Sequence, residues 1–465
     1  GKRYRITPPE LIIQDELHLI SGPLGSMVGL YETMIQTLCN NYNLKVSPFI
    51  EEKEEFIPPK IIASSATISR AKEQVRALYG KDDEQLHIFP SQGLEFGNTW
   101  FSEEKKVTKE NPGRMYAGIL ASGYPSAQTA IVRSYSSILQ KVKEKERDFD
   151  NIDYYWTLLG YFNSIRELGG AMSLVHGDIR ERLYQIQNRE LIPYDKPINS
   201  RRNVYNIQEL TSRISSDKIP DTLKDLERNY KVEDGRDSSA LDICLATNMV
   251  ATGVDISRLG LMFIHGQPKT TAEYIQASSR VGRRVPKGPG LIFTLYSPAK
   301  PRDKSQYEQF QGYHSRIYSN VEPTSVTPFS VNVRERALHA ILIGLMRHFA
   351  STIDGLLTKP ETNNKDFTYL KNFVTNIVLQ RSKKVNNEEY LSTKKLCESI
   401  LHEWENVGYQ EYGDGGNYSI KFNEIYPLMY SNSAEVKKDV SDKSFSTPTS
   451  MRGIDTESKI DILNL

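Results

Sequence analysis

Short apolar runs alternate with longer stretches of helical periodicity along most of this chain. The runs are Leu11-Ile12-Ile13, Ile61-Ile62-Ala63, Met115–Leu120, Trp156–Phe162, Ser173-Leu174-Val175, Leu241–Ala246, Leu261–Ile264 and Leu291–Leu295. Runs this short, each separated from the next by a helix-like segment, predict parallel strands in βαβ units. Among the intervening segments, Arg70–Tyr79 predicts a helix with Ser69 as N-cap and Gly80 as its stop. Ala127–Lys143 predicts a longer one after Pro125-Ser126. Beyond Glu322-Pro323 the period turns helical, and Arg334–Phe349, Phe367–Gln380 and Thr393–Val407 predict amphipathic helices. Roughly the last thirty residues are rich in Ser, Thr and Asp, too polar to hold a packed core.

Two breaks divide this pattern. Glu103-Glu104-Lys105-Lys106 runs into Asn111-Pro112-Gly113, and the second break is Glu322-Pro323. The expected segments are therefore 1–110, 111–320 and 321–465. The length of 465 residues has room for them, at about 150 residues per domain. Composition adds few constraints. Hydrophobic residues make up 38% and charged residues 25%, as in ordinary globular chains. A net charge of +1 places any nucleic-acid surface in a local patch. Cys39, Cys244 and Cys397 form no CxxC pair, which argues against a structural zinc site and suits a reducing, cytoplasmic setting. Ala337–Met346 is too short to span a membrane, and Gly-Lys-Arg-Tyr-Arg at the start has no signal-peptide core. No membrane role is expected.

Several apolar runs end in polar residues with chemical uses. In an open α/β sheet, ligands bind outside the carboxyl ends of the strands. Leu11-Ile12-Ile13 runs into Gln14-Asp15-Glu16-Leu17-His18, two carboxylates and a histidine after a strand. Asp15 has the chemistry to hold Mg²⁺ through water, and Glu16 to orient and deprotonate an attacking water. The plainer reading is a solvated turn. Ser64-Ser65-Ala66-Thr67 follows the next strand, where Ser and Thr also serve as helix caps. Ala246-Thr247 and Gly253-Val254-Asp255 follow the alternating strand Leu241–Leu245, with a glycine that permits close backbone approach. Thr270-Thr271-Ala272-Glu273 predicts a capping box. The helix it starts carries Gln276, then Arg280 and Arg283, placed by their spacing on one helical face. Two arginines so aimed suit a transferring phosphoryl group, and a basic helix end favoured by the macrodipole is the plainer alternative.

In this order the segments resemble the motifs of superfamily 2 helicases: the DExH box, Ser-Ala-Thr, motif V and motif VI. Tyr161-Phe162-Asn163-Ser164-Ile165-Arg166 resembles motif IV, and Val175-His176-Gly177-Asp178 resembles the strand end that follows it. Motif VI departs from the usual pattern at Ser279, where many families have glycine. The resemblance covers about residues 10–300 and implies RecA-like parallel sheets, one partial and one complete, plus a mostly helical C-terminal extension. It implies ATP and Mg²⁺ as cofactors, with Glu16, Arg280 and Arg283 catalytic. Asp15, His18, Gly253, Asp255 and Gln276 would sit at the nucleotide, with Asp15 on the metal. Ser65 and Thr67 would couple hydrolysis to movement, and Ser164, Arg166, His176 and Thr247 would touch nucleic acid. Further matches lie at Glu209-Leu210-Thr211-Ser212-Arg213, Arg302–Phe310, Tyr313-His314, Val321–Ser330, Arg336–His339 and Ser450–Asp455. They resemble the large helicase subunit of bacterial DISARM anti-phage systems. That resemblance implies a DNA-acting motor with partner subunits. RNA helicase, duplex translocase without unwinding, and catalytically silent interaction module remain open alternatives. Read for its residues alone, Glu-Pro-Thr-Ser-Val-Thr-Pro is an extended connector, either a plain linker or a nucleic-acid contact.

No G-x-x-x-x-G-K-[ST] loop occurs; Gly1-Lys2 and Gly80-Lys81 lack its other residues. The chain therefore reads as the end of a first RecA-like domain, a whole second one and an extension, with an upstream part of the same polypeptide supplying the phosphate loop. A first domain without its central strand should pack poorly. Hydrogen exchange tests this: fast exchange of the Leu11–Ile13 amides is expected, and full protection would refute it.

Overall fold

The structure is a computed structural model. It describes residues 8–39, 58–65, 70–91, 93–94, 98–103, 105, 107–146, 148–189, 201–215, 217–230, 240–247, 256–283, 288–322, 326–354, 365–407, 429–431 and 445–447. In chain order the first elements are β1 (Leu11–Gln14), α1 (Gly22–Cys39), β2 (Lys60–Ala63) and α2 (Ala71–Tyr79). Then come β3 (Arg114–Leu120), α3 (Ala127–Glu144), α4 (Asp153–Trp156), β4 (Leu158–Phe162), α5 (Ile165–Leu174) and α6 (Arg180–Arg189). Next are β5 (Ile207–Leu210), α7 (Ile219–Glu227), β6 (Ile243–Ala246), β7 (Leu261–His265), α8 (Thr271–Ser278) and β8 (Gly290–Tyr296). They are followed by α9 (Pro301–Glu308), α10 (Phe310–Ser315), α11 (Val331–Asp354), α12 (Lys365–Val385) and α13 (Tyr390–Val407). Two short strands, β9 (Met429–Ser431) and β10 (Phe445–Thr447), come last. Two compact units result, one from residues 1–89 with 323–465, the other from 90–322.

The unit of residues 90–322 is built on a six-stranded parallel sheet in the order β3-β8-β7-β4-β6-β5. This is the parallel α/β architecture expected of a RecA-like domain. Successive residues on one strand face opposite sides, and the core divides accordingly. Leu159, Tyr161, Cys244, Ala246, Met262, Ile264 and Ile292 share one apolar cluster with Tyr274 and Val281. Leu158, Phe162, Ile243, Leu245, Leu261 and Phe263 share the other with Tyr135, Leu168 and Val175. Both faces are covered, so β4, β6 and β7 are buried at every position.

The sequence and the fold part company at four places. Ser173-Leu174-Val175, read as a strand, closes α5 and enters a π-helical turn, Val175–Ile179. Leu168, Ala171, Val175 and Ile179 are buried at intervals of three and four, so the period is helical once Ser164 has capped the start. Trp156 ends α4 rather than opening β4. β6 begins at Ile243, after the buried Asp242 has turned inward. β5 escaped the apolar scan because its Gln208 and Glu209 are polar, and edge position in the sheet tolerates them.

In the unit of residues 1–89 and 323–465, β1 pairs with β2 in parallel, Ile12 opposite Ile61. Leu11 is 47% and Ile13 71% exposed. The core lies instead between α1 and the C-terminal helices, where Met27 and Leu30 meet Ala337, Leu338, Ile341, Val374 and Trp404. The connector before α11 is packed rather than free among its described residues. Thr327 donates its backbone N–H to Ser26 Oγ at 2.8 Å, and Val326 joins the cluster of Leu17, Leu78 and Tyr79.

His265 closes the carboxyl end of β7. Its Nε2 lies 2.7 Å from the Tyr135 hydroxyl, and its ring stacks on Phe162 at 4.0 Å. Burial pushes its pKa down to about 3. The unfolded chain takes up this proton near pH 6.5 and the folded chain does not. Stability is therefore lost as pH falls below about 6.5, by up to about 1.4 kcal/mol per pH unit. Denaturation of wild type and His265→Phe at about pH 7 and pH 5 should show a smaller loss in the variant. Equal losses would refute the assignment.

Candidate nucleotide site and nucleic-acid interface

The parallel pairing of β1 and β2 brings their carboxyl ends side by side, Gln14 opposite Ala63. The next residues on each strand then meet. Ser64 Oγ donates to Asp15 Oδ1, which also accepts the Glu16 backbone N–H at 2.9 Å. Leu17 N–H donates to Ser64 O at 2.8 Å. These donors hold the Asp15 carboxyl below its ordinary pKa, the Ser64 hydroxyl first and the Glu16 amide second. Glu16 sits at φ 52, ψ 48, a left-handed conformation that a non-glycine residue adopts at a cost of about 1 kcal/mol. That turn sends the chain straight into the 3-10 turn Leu17–Leu19. His18, buried there, has its Nδ1 3.4 Å from Glu16 Oε2 and 3.3 Å from Ser65 Oγ. Gln74 of α2 braces the turn, donating to Ile20 O at 3.2 Å. The acidic box and the first serines of the Ser-Ala-Thr segment thus form one hydrogen-bonded group. Thr67 lies outside the described residues, as do Gly253 and Asp255.

The second group lies on α8. Thr270 Oγ accepts the Glu273 N–H at 3.1 Å, half of the capping box foreseen. The other half is absent because the Glu273 carboxylate accepts the Tyr161 hydroxyl instead, at 2.6 Å. The shared helical face of Gln276, Arg280 and Arg283 does not survive either. The helix ends at Ser278, and Gly282 turns the chain at φ +77. A Cβ on Gly282 would lie 2.9 Å from Gly290 Cα, so two backbones touch at that point. Arg114 locks the turn, donating to Ser279 O at 3.1 Å and Val281 O at 2.9 Å. Gln276 and Arg280 are buried, whereas Arg283 is half-exposed and donates to Ser279 O at 3.3 Å. Ser279 fits where a glycine is common, with ordinary right-handed φ −71 and its hydroxyl on Gln276 O at 2.8 Å.

Residues after β8 clamp this helix, a role not read from the sequence. The Glu322 carboxylate accepts the Thr271 N–H at 2.8 Å and its hydroxyl at 3.0 Å. Tyr313 donates to Thr271 Oγ1 at 3.1 Å, and His314 Nε2 lies 3.0 Å from the Tyr274 hydroxyl. Asp303 is buried and accepts the N–H groups of Gln267 and Ser297, both at 3.0 Å, tying the ends of β7 and β8 together. A charged residue inside a tyrosine-rich stretch was the signal available for this.

The expected nucleic-acid residues separate. Ser164 caps α5 at the carboxyl end of β4, and exposed Arg166 follows in its first turn. Both line a cavity of about 490 Å³ with His265, Gly266 and Lys300. Thr247 follows the adjacent strand β6 and is buried, with its N–H to Leu210 O at 3.4 Å. His176 is exposed beyond the far end of α5, in the π-helical turn, and not at a strand end. Ten helical residues, about 15 Å, carry the chain from one sheet edge to the other.

Residues 198–285 match the helicase conserved C-terminal domain family. The chain is 42% identical over 403 residues to the DISARM protein DrmA of Bacillus paralicheniformis, covering 85% of this chain and 33% of DrmA. It spans about a third of the length of that curated relative. Among solved structures it is similar to the DUF1998 helicase MrfA bound to DNA, with TM-score 0.44, 17% identity, and 72% of this chain against 35% of that one. The Mycobacterium smegmatis helicase Lhr bound to ssDNA and AMP-PNP has TM-score 0.41 and 14% identity, covering 79% of this chain and 43% of that one.

The Ser64 hydroxyl, as first cause of the low Asp15 pKa, can be removed. Ser64→Ala should move the Asp15 carboxyl titration upward toward about 3.9, read by NMR of the side-chain carbon. An unmoved midpoint would refute the contact.

Proposed function

We propose, for a chain that belongs to the superfamily 2 helicases and is similar to the DISARM protein DrmA, that it is the core of an ATP-driven motor acting on DNA in defence against phage. One observation carries this reading. The carboxylates after β1 and the serines after β2 are joined through Asp15–Ser64 and His18–Ser65. A solvated turn would need neither bond.

The chemistry of Asp15 fits a magnesium ion. It is an exposed, low-pKa carboxylate, and no group of three or more His, Cys, Asp or Glu that could hold a metal occurs among the described residues. Magnesium uses one or two carboxylates and otherwise water and phosphate oxygens. When bound, the ion would neutralise charge on the ATP phosphates. Asp15 would hold its water shell, with the Ser64 hydroxyl fixing the carboxylate. Glu16 would accept a proton from the attacking water, and His18 would link that carboxylate to Ser65. The turn after α8 would present Arg280 and Arg283 to the phosphoryl group, with Gln276 beside the nucleotide. Gly253 and Asp255 would complete that side, and Thr67 would pass the change onward from Ser65. A phosphate-binding loop would come from another part of the same polypeptide. On the sheet's carboxyl edge, Ser164, Arg166 and Thr247 would meet the nucleic-acid backbone. Backbone contacts of this kind are salt-dependent and weakly sequence-specific.

The test is ATPase activity of the full-length protein with and without single-stranded DNA, beside Glu16→Gln and Arg280→Ala. The expected result is DNA-stimulated hydrolysis lost by about a thousandfold in the arginine variant, the scale of an arginine finger, and abolished in the glutamate variant. Activity equal in all three would refute the roles. An inactive parent would bring the silent interaction module forward. Stimulation by RNA alone, or hydrolysis without strand separation, would identify the other two alternatives.

A further inference from the structure

We propose that the amino edge of the six-stranded sheet carries a second site, for single-stranded nucleic acid, formed by Arg180, Tyr184, Arg201 and Tyr205. It rests on the reading that this chain acts on nucleic acid. It lies at the sheet edge opposite Ser164, Arg166 and Thr247, because residues 201–206 lead into the start of β5 and α6 begins beyond the far end of α5.

The platform is built from beneath. The buried Asp242 carboxylate accepts the Arg202 guanidinium at 2.8 Å and the N–H groups of Tyr205 and Asn206 at 2.8 and 3.0 Å. Arg202 also donates to Trp156 O at 3.0 Å, and its guanidinium carbon lies over the Trp156 ring, 3.2 Å from its centroid. Its own N–H is held by Gln140 Oε1 at 3.1 Å. The segment is therefore fixed with Arg202 and Val204 inward, and Arg201, Asn203 and Tyr205 turned outward.

What it presents outward is a pair of tyrosine rings with arginine guanidiniums beside them. Tyr205 is 66% and Tyr184 49% exposed. The Arg201 guanidinium lies over the Tyr184 ring at 5.6 Å and is steadied by Asn203 Oδ1 at 3.0 Å. Arg180 lines the same cleft of about 300 Å³, and Gly177 leaves one wall open. Glu181, on that wall too, accepts from Gln185 at 3.3 Å, and exposed Asp178 lies nearby. These acids leave little net charge, so the attraction cannot be that of a broad polyanion surface. Exposed tyrosine and guanidinium planes suit unstacked bases, with Arg180 and Arg201 on the flanking phosphates. A single strand offers both together, and a duplex keeps its bases stacked away. The exposed His176 is the chain neighbour of Gly177, which lines this cleft.

The experiment is fluorescence anisotropy of the full-length protein with a labelled single-stranded DNA of about 20 nucleotides, for Tyr205→Ala, Arg201→Glu and Arg166→Ala. Tyr205→Ala should weaken binding about fivefold to a hundredfold, the worth of one stacked base. Arg201→Glu should also lower the slope of log Kd against log salt by about one. An abasic strand should bind wild type and Tyr205→Ala alike. Unchanged affinity in both patch variants, with loss in Arg166→Ala, would sink the second site and leave the proposed function standing. No binding by wild type would sink both. Full competition by a mononucleotide at the patch would show a nucleotide site instead and overturn the strand assignment. Tyr205 is largely exposed and Asp242–Arg202 is untouched, so unchanged thermal unfolding should accompany the losses.

Discussion

A strand cannot pair in parallel with its neighbour without a crossover of a dozen or more residues. Each strand of both units therefore ends on the same edge as its partner, with a fresh loop leaving from that point. Register then decides which loop residues meet. Gln14 opposite Ala63 puts Asp15 beside Ser64; Tyr161 opposite Ala246 puts Thr247 near the cap of α5. A shift of one residue would reverse every side chain and separate the pairs. Side chains of β4, β6 and β7 are packed into two core clusters, one on each face, so such a shift in the larger sheet would have to repack both.

Carboxylates act as ties between segments, with Asp303 and Asp242 buried and Glu322 exposed. Asp303 joins the loops after β7 and β8, Glu322 holds the first turn of α8, and Asp242 gathers the segment before β5. Each accepts N–H groups that helix starts and strand ends leave unpaired. The arginine-bearing turn after α8 is held from two directions, by Arg114 on its carbonyls and by Glu322, which follows α10 and its 3-10 turn, at the helix start. The stretch from Arg302 to Glu322 therefore acts structurally, fixing the helix that precedes Arg280.

The unit that holds the acidic box is closed differently. Its two strands leave Leu11 and Ile13 exposed, and its core comes from α1 against helices near the other end of the chain. Arg381 of α12 donates to Leu78 O at 2.6 Å and also to Tyr79 O, ending α2 where Gly80 turns it. That same α2 braces the turn carrying His18 through Gln74. Residues more than three hundred positions apart in sequence thus support one loop.

The order of chemistry-bearing segments was determined by the sequence, as were the strands β1, β2, β4 and β6 and the three C-terminal helices. Period-two and period-3.6 patterns are local, and strand-end motifs are contiguous, so both can be read without the fold. Where a helix stops was decided only in three dimensions. Gly282 could not be seen to touch Gly290, so the common face of Arg280 and Arg283 was an extrapolation of helical spacing past the true end. Ser173–Val175 looked like a strand because three apolar-leaning residues carry no phase of their own; packing of Leu168, Ala171 and Ile179 supplied it. The half-open capping box, the clamp by Glu322 and the platform under Tyr205 all depend on partners 36 to 112 residues away. Such pairings follow from which strands become neighbours, and neighbourhood in a parallel sheet is a property of the whole chain.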